Sequence, residues 1–343
     1  MRAIVAHAAR DLRIDEAEIP PLGARDVRVR VAFGGICGSD LHYYHDGGFG
    51  AVRLKEPMIL GHEIAGVVEA VGEEARRAKV GDRVAVNPSL PCNRCRYCRE
   101  GLQNQCLDMR FYGSAMRFPH VQGAFREVLV CRESQAHAIG EGVSLQEAAM
   151  AEPLAVALHA TRRAGSLIGR RVLISGAGPI GALTALAARR AGAAEIVVTD
   201  IMDRVLAHAL RLGAERAINV AREPEALSAF AADKGTFDAL FEASGAEAAL
   251  RSGIEVVRPR GVIVQLGLGG DMTIPINLIT AKEIALRGTF RFHEEFALAL
   301  DFIGKGLIDV RPLITATAPL QKARDAFELA GDRSQSMKVQ IAF

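Results

Sequence analysis

Between residues 170 and 192 a strand, a glycine turn and a helix follow one another, and few folds accept that order with this turn. RRVLISG (170–176) is an apolar run of strand length, and PIGALTALAARRAG (179–192) is rich in the alanine and leucine that favour a helix. Between them, Gly176-Ala177-Gly178-Pro179-Ile180-Gly181 has the spacing G-x-G-x-x-G. The first glycine permits a tight turn, the second lets backbone approach a pyrophosphate, and the third lets the helix pack close to the strand. The helix start at Pro179 and Ile180 would hold the phosphate charge through its dipole and the free N–H groups that follow the proline. The next strand, EIVVTD (195–200), closes on Asp200, 19 residues after Gly181, where a ribose hydroxyl should lie. A structural turn followed by a solvated aspartate is the alternative, and it leaves this coincidence of strand, loop, helix and acid unexplained. A carboxylate accepts from both ribose hydroxyls and repels a 2′-phosphate. Asp203 adds negative charge, while Arg204 could stack on adenine or offset part of that charge. NAD is therefore expected, with Arg204 leaving room for some use of NADP.

Strand and helix keep alternating through RAINV (216–220), FDALFEAS (237–244), GVIVQLGL (261–268) and IALRGTF (284–290). Such alternation predicts an α/β domain over 153–285, a Rossmann-type doubly wound parallel sheet with helices on both faces. The first 152 residues have a different rhythm. VRVRVAF (27–33), EIAGVVEAVG (63–72) and DRVAVNP (82–88) are short runs between Gly and Pro turns, which suits a compact, mostly β domain. The segment 286–343 holds two helical patterns and a final strand, KVQIAF. Periodicity alone allows it either to extend the nucleotide domain or to return to the first one.

Six cysteines occur, and four of them, Cys92, Cys95, Cys98 and Cys106, crowd into fifteen residues. Gaps of two residues suit one metal ion better than disulfides, and four thiolates complete a closed tetrahedral zinc site. A closed site has no position for substrate, so its expected role is to pin a lobe at about 88–110. An iron–sulfur cluster and a nucleic-acid-binding knuckle are the rival readings, the second because Arg94, Arg96 and Arg99 lie in the same segment. Only Tyr97 is there to stack on a base, and a net charge of +2 gives no general attraction for nucleic acid or an anionic membrane. Residues 1–20 carry charges every few positions and read as neither a signal peptide nor a membrane span, so a cytoplasmic protein is expected.

Cys37 in GGICGSDLHYYHDGG, with His62 and Glu63 in ILGHEIAG, calls for a second explanation. A Cys, a His and a carboxylate plus water make an open zinc site of the kind that does chemistry. The bland alternative is a buried thiol and a satisfied structural histidine.

Taken in order, GGICGSDLH, LGHEIAGVVEAVG, the four-cysteine lobe, EPLAVALHA (152–160) and the Gly176–Gly181 loop resemble the zinc-containing medium-chain alcohol and polyol dehydrogenases over nearly the whole chain. The resemblance implies that the first domain is GroES-like and that 286–343 returns to it. It implies catalytic zinc on Cys37 and His62, with Glu152 as third ligand and Glu63 as the carboxylate that can exchange with it, so that each chain carries two zinc ions. Ser39 and His42 match the positions of a proton relay, and Tyr43 and Arg291 match substrate contacts. An alcohol is about as weak an acid as water, and zinc can lower the pKa of bound water to about 7. The implied reaction passes the hydroxyl proton out through Ser39 and His42 and the hydride to the nicotinamide.

CGSDLHYY, NPSLPCNRCRYC and LRGTFRF lie nearest the sugar-acid branch of that family, which oxidises the secondary 5-hydroxyl of L-idonate to 5-keto-D-gluconate. A sugar acid needs a cation for its carboxylate, and Arg110, Arg117 and Arg291 are the available ones. Sorbitol, xylitol and threonine are the rival substrates of the same class. A nucleotide-binding protein that kept the fold without activity is the rival of another class. The expected partners are a small molecule and further copies of the chain, as a dimer or tetramer, with strands near 265–292 often doing the pairing in the family.

Overall fold

A computed structural model describes all residues, Met1–Phe343, and the chain divides into two compact units. Unit 1 is Met1–Glu152 with Phe296–Phe343, and unit 2 is Pro153–Glu295.

Unit 1 opens with the hairpin β1 (Arg2–Ala8) and β2 (Asp11–Glu16), followed by β3 (Asp26–Gly35) and helix α1 (Gly38–Asp46). β4 (Glu63–Val71), β5 (Arg83–Val86), β6 (Val128–Arg132) and β7 (Ala136–Ala138) follow, and α2 (Ala151–Ala164) carries the chain into unit 2. The register of β3 shows why the sheet forms. Val27, Val29 and Val31 are buried at 0, 0 and 2% exposure, while Arg28 and Arg30 alternate away from that face. A one-residue slip would put the arginines in the core, so pattern and register fix each other. The valines meet Tyr43, Tyr44, Ile64, Val84 and Phe125 in one apolar cluster.

Unit 2 contains β8 (Arg171–Ser175), α3 (Pro179–Arg190), β9 (Glu195–Asp200), α4 (Asp203–Arg211) and β10 (Arg216–Asn219). It continues through β11 (Phe237–Glu242), α5 (Glu247–Val256), β12 (Val257–Gln265) and β13 (Ala285–Gly288), and ends as α6 (Glu295–Gly304) begins. Its six strands are parallel, in the order β10-β9-β8-β11-β12-β13. Strands covered on both faces should lack polar alternation, and Val172–Ser175 are all buried. α4 instead buries one stripe, Val205, Leu206 and Ala209.

The chain then returns to unit 1 through β14 (Ile314–Pro319), α7 (Ala323–Gly331) and β15 (Lys338–Ala342). β15 pairs antiparallel with β3 and parallel with β14, completing a seven-stranded sheet, β7-β5-β4-β3-β15-β14, with β6 also on β3. The architecture is α/β: a GroES-like domain and a Rossmann-type domain. No helix is long and apolar enough to cross a membrane.

Candidate metal centre and nucleotide loop

Cys37 is the N-cap of α1, and His62 directly precedes β4, which opens on Glu63. Pairing of Gly35 with Glu63 brings the two segments together. The Cys37 sulfur, a His62 ring nitrogen and a Glu63 carboxylate oxygen all lie within 4.8 Å of one another, in a setting where His62 is 4% and Glu63 0% exposed. Asp40, wholly buried, braces both sides. One oxygen accepts the Cys37 N–H at 3.0 Å, the other accepts the Gly61 N–H at 3.0 Å, and His62 Nδ1 lies 3.8 Å from that second oxygen. Nδ1 faces Asp40 and has no hydrogen-bond partner of its own.

Two further charged groups belong to this centre. Lys338, the first residue of β15, donates to both Glu63 oxygens at 2.8 Å and to the Ile36 carbonyl at 3.1 Å, with a side chain 2% exposed. Burial pulls the Lys338 pKa down, but Glu63, Cys37 and Glu152 outweigh it, so the net direction is up. Glu152, in the first turn of α2, is 5% exposed, and burial pushes its pKa up to about 8; Glu63 and Cys37 add to the rise and His62 opposes it. Burial, followed by the charge of Glu63, pushes the Cys37 thiol up to about 11. A thiol and two carboxylates crowded out of water around one lysine lack positive charge, and a divalent cation on this donor set would supply it.

Around the centre, Ser39 and His42 stand three residues apart on one face of α1, and the His42 side chain is half exposed with Nδ1 3.5 Å from Asp46. Tyr43 is buried, and its hydroxyl accepts the Ala115 N–H at 3.0 Å. Arg117 pairs with Asp108. Arg291 belongs to unit 2; its backbone has φ +54° and its guanidinium lies 4.9 Å from the Phe290 ring centre.

The four clustered cysteines also converge, with their sulfurs within 4.8 Å of one another and no disulfide. The turn between the first two passes through Asn93 at φ +55°. Backbone N–H groups point at sulfur: Cys92 N at 3.2 Å and Asp108 N at 3.3 Å from Cys106, and Cys95 N at 3.4 Å from Cys92. N–H donors from Cys98 and Leu107 hold the Cys95 thiol down to about 6, while burial pushes Cys98 up to about 12. Backbone donors aimed at sulfur favour thiolate, the form that binds metal.

In unit 2 the glycine loop joins β8 to α3. Gly176 has φ +92°, Gly178 caps the helix, and Pro179 is its first residue. A Cβ on Gly181 would stand 1.8 Å from the Gly176 carbonyl oxygen, so the helix reaches its place only with glycine there. Asp200 is 7% exposed; one oxygen accepts the Ala177 N–H at 2.8 Å and the other accepts those of Ile201 and Met202 at 2.8 and 3.1 Å. It therefore ties the glycine loop to the end of β9. Asp203 is engaged by Arg222 and Asn219, and Arg204 follows it in the first turn of α4.

Two members of the metal centre carry no strong sequence signal. Asp40 was legible in hindsight through the Cys37-x-x-Asp40 helix-start spacing, where an N3 acid reaches back to the N-cap backbone. Lys338 offered only a charge at the start of a buried strand, 275 positions away from Glu63.

Residues 23–141 match the family described as Alcohol dehydrogenase GroES-like domain, and residues 179–305 match Zinc-binding dehydrogenase. The chain is 44% identical to the L-idonate 5-dehydrogenase (NAD(P)(+)) of Escherichia coli (strain K12), covering 92% of this chain and 91% of that one. It is 37% identical to the sorbitol dehydrogenase of Bacillus subtilis (strain 168), covering 99% and 97%. The crystal structure of L-idonate 5-dehydrogenase from Escherichia coli K-12 superposes with a TM-score of 0.96 at 42% identity, over 100% of this chain and 98% of that one. An alcohol dehydrogenase from Escherichia coli CFT073, complexed with NADH, does so with 0.91 at 32% identity, over 100% and 99%. With both family matches falling on the two halves of its architecture, the chain belongs to the zinc-binding alcohol and polyol dehydrogenases.

Proposed function

We propose that this enzyme oxidises the secondary 5-hydroxyl of a sugar acid, L-idonate to 5-keto-D-gluconate, with NAD as the preferred acceptor and two zinc ions per chain. The observation that carries the reading is the meeting of Cys37 with the buried His62 and Glu63 within 4.8 Å, in a chain 44% identical to an L-idonate 5-dehydrogenase. When bound, zinc supplies the Lewis acidity that makes a secondary hydroxyl acidic, and the nicotinamide accepts the hydride.

The protein's own groups do the rest. Cys37, His62 and Glu152 hold the catalytic metal, and Asp40 orients His62. Glu63 is the alternative ligand and is the carboxylate within 4.8 Å of Cys37 and His62, but both its oxygens are engaged by Lys338, which supports Glu152 as the direct one. Ser39 takes the hydroxyl proton and passes it to His42, whose exposed ring delivers it to water. Tyr43 and Arg291 match the family's substrate-contacting positions, and Arg110, Arg117 and Arg291 are the candidates for the substrate carboxylate. Cys92, Cys95, Cys98 and Cys106 hold the second zinc and pin their lobe. Gly176, Gly178, Pro179, Ile180 and Gly181 cradle the pyrophosphate, Asp200 accepts from the ribose and Arg204 borders the adenine. The edge strand β13, with Leu286 42% exposed, supports pairing of two copies.

The test is turnover of L-idonate, sorbitol, xylitol and threonine by the purified protein with NAD and with NADP. Preference for L-idonate with NAD is expected, and clear preference for a neutral polyol would remove the sugar-acid assignment.

A further inference from the structure

Unit 2 holds a buried carboxylate that the chemistry above does not use. In the order β10-β9-β8-β11-β12-β13 the sheet is built outward in both directions from β8. β8 and β11 are therefore neighbours whose connections leave to opposite sides, and a dinucleotide crosses the carboxyl ends of such a sheet at that point. The adenosine half belongs over β8 and β9, where Gly178 and Asp200 lie. The nicotinamide half must then lie over β11 and β12.

Glu242 is the last residue of β11 and is 0% exposed. One of its oxygens accepts the Ser244 N–H at 2.9 Å, the Ser244 hydroxyl and the Gly245 N–H at 3.1 Å. The other accepts the Gly245 N–H at 3.0 Å and the amide of Gln265, the last residue of β12, at 2.6 Å. Its backbone carbonyl accepts the N–H groups of Leu266 and Gly267 at 2.8 and 2.9 Å. Every partner is a donor, and the donors come from the ends of both strands and the loops that follow them.

Those loops touch backbone to backbone. A Cβ on Gly267 would stand 2.1 Å from the Gly245 nitrogen and 2.8 Å from a Glu242 carboxylate oxygen. On the other side, a Cβ on Gly176 would stand 2.8 Å from the Ser244 nitrogen. The loops after β8, β11 and β12 thus form one floor without intervening side chains, and Glu242 is the pin beneath its β11–β12 half.

We propose that Glu242 is a positioning residue for the nicotinamide half of the cofactor, fixing the loops after β11 and β12 on which that half rests. The proposal rests on the dinucleotide reading above. It separates the two halves of the ligand: Glu242 governs affinity for the whole dinucleotide, while ADP-ribose, which lacks nicotinamide, depends on Gly178 and Asp200.

The test titrates the purified zinc-loaded protein and Glu242→Gln with NADH and with ADP-ribose, by calorimetry. In the variant an amide NH2 faces N–H and O–H donors. NADH affinity should fall about tenfold or more, while ADP-ribose affinity stays within about twofold. Ser244→Ala removes one donor only and should show the same split at about threefold, which keeps the test alive if the Gln variant does not fold. Equal loss for both ligands, the mark of a merely structural residue, would overturn the proposal, and so would no loss for either. A wild-type protein that binds neither NADH nor NADPH would instead overturn the dinucleotide reading, and this proposal with it.

Discussion

Lys338 Nζ lies 2.8 Å from each oxygen of Glu63, and both side chains are almost wholly out of water. Breaking a buried pair by removing one partner typically costs about 3–5 kcal/mol, because the other charge is left stranded. Lys338→Met should therefore lower unfolding stability by about 3 kcal/mol in urea titrations. Adding Glu63→Gln to it should recover part of the loss, since no stranded carboxylate remains. A Lys338→Met protein as stable as wild type would show that the pair holds nothing together.

Glu152 and Glu63 make separable predictions about the metal. If Glu152 is the direct ligand, Glu152→Gln should lower zinc content toward one ion per chain by elemental analysis, with turnover lost in proportion. Glu63→Gln should retain both ions. The reverse pattern would assign the ligand to Glu63.

The two cysteine groups should fail differently. Cys37→Ala should abolish turnover and remove one zinc while the thermal transition stays near that of wild type. Cys95→Ala opens the closed site, so soluble yield and melting temperature should fall first. Normal activity in Cys37→Ala would refute the proposed chemistry.

The sequence disclosed most where a local pattern has a local cause. The Gly176–Gly181 turn, the parallel strands of unit 2 and the alternating valines of β3 all follow from periodicity and spacing, because each segment's burial is written in its own residues. β14 was missed for the same reason: ITATAP is a half-exposed edge strand with small side chains, and only pairing with β15 makes it a strand. At the metal centre, Cys37 and His62 could be picked out as possible ligands. Lys338 could not, because its partner is brought close only when β15 pairs with β3. Glu242 was hidden differently, since a carboxylate satisfied by backbone N–H groups, the Ser244 hydroxyl and the Gln265 amide has no spacing signature.

Glu295 gives unit 2 a defined acid response. It is 3% exposed; burial alone would raise its pKa, but the bond to His159 Nδ1 at 3.1 Å and the His293 N–H at 2.9 Å hold it down to about 2, from 4.5. Arg162 adds a third contact at 2.9 Å. A carboxyl whose folded pKa is depressed stabilises the fold fully above its unfolded value. That contribution is lost as pH falls from about 4.5 toward about 2. On the order of 2 kcal/mol is at stake, after discounting a shift of this size. Glu295→Gln should therefore be less stable than wild type at pH 7, with the gap closing between pH values of about 4.5 and 2 in denaturant titrations. A gap that stays constant over this range would show that Glu295 contributes through shape and not through its charge.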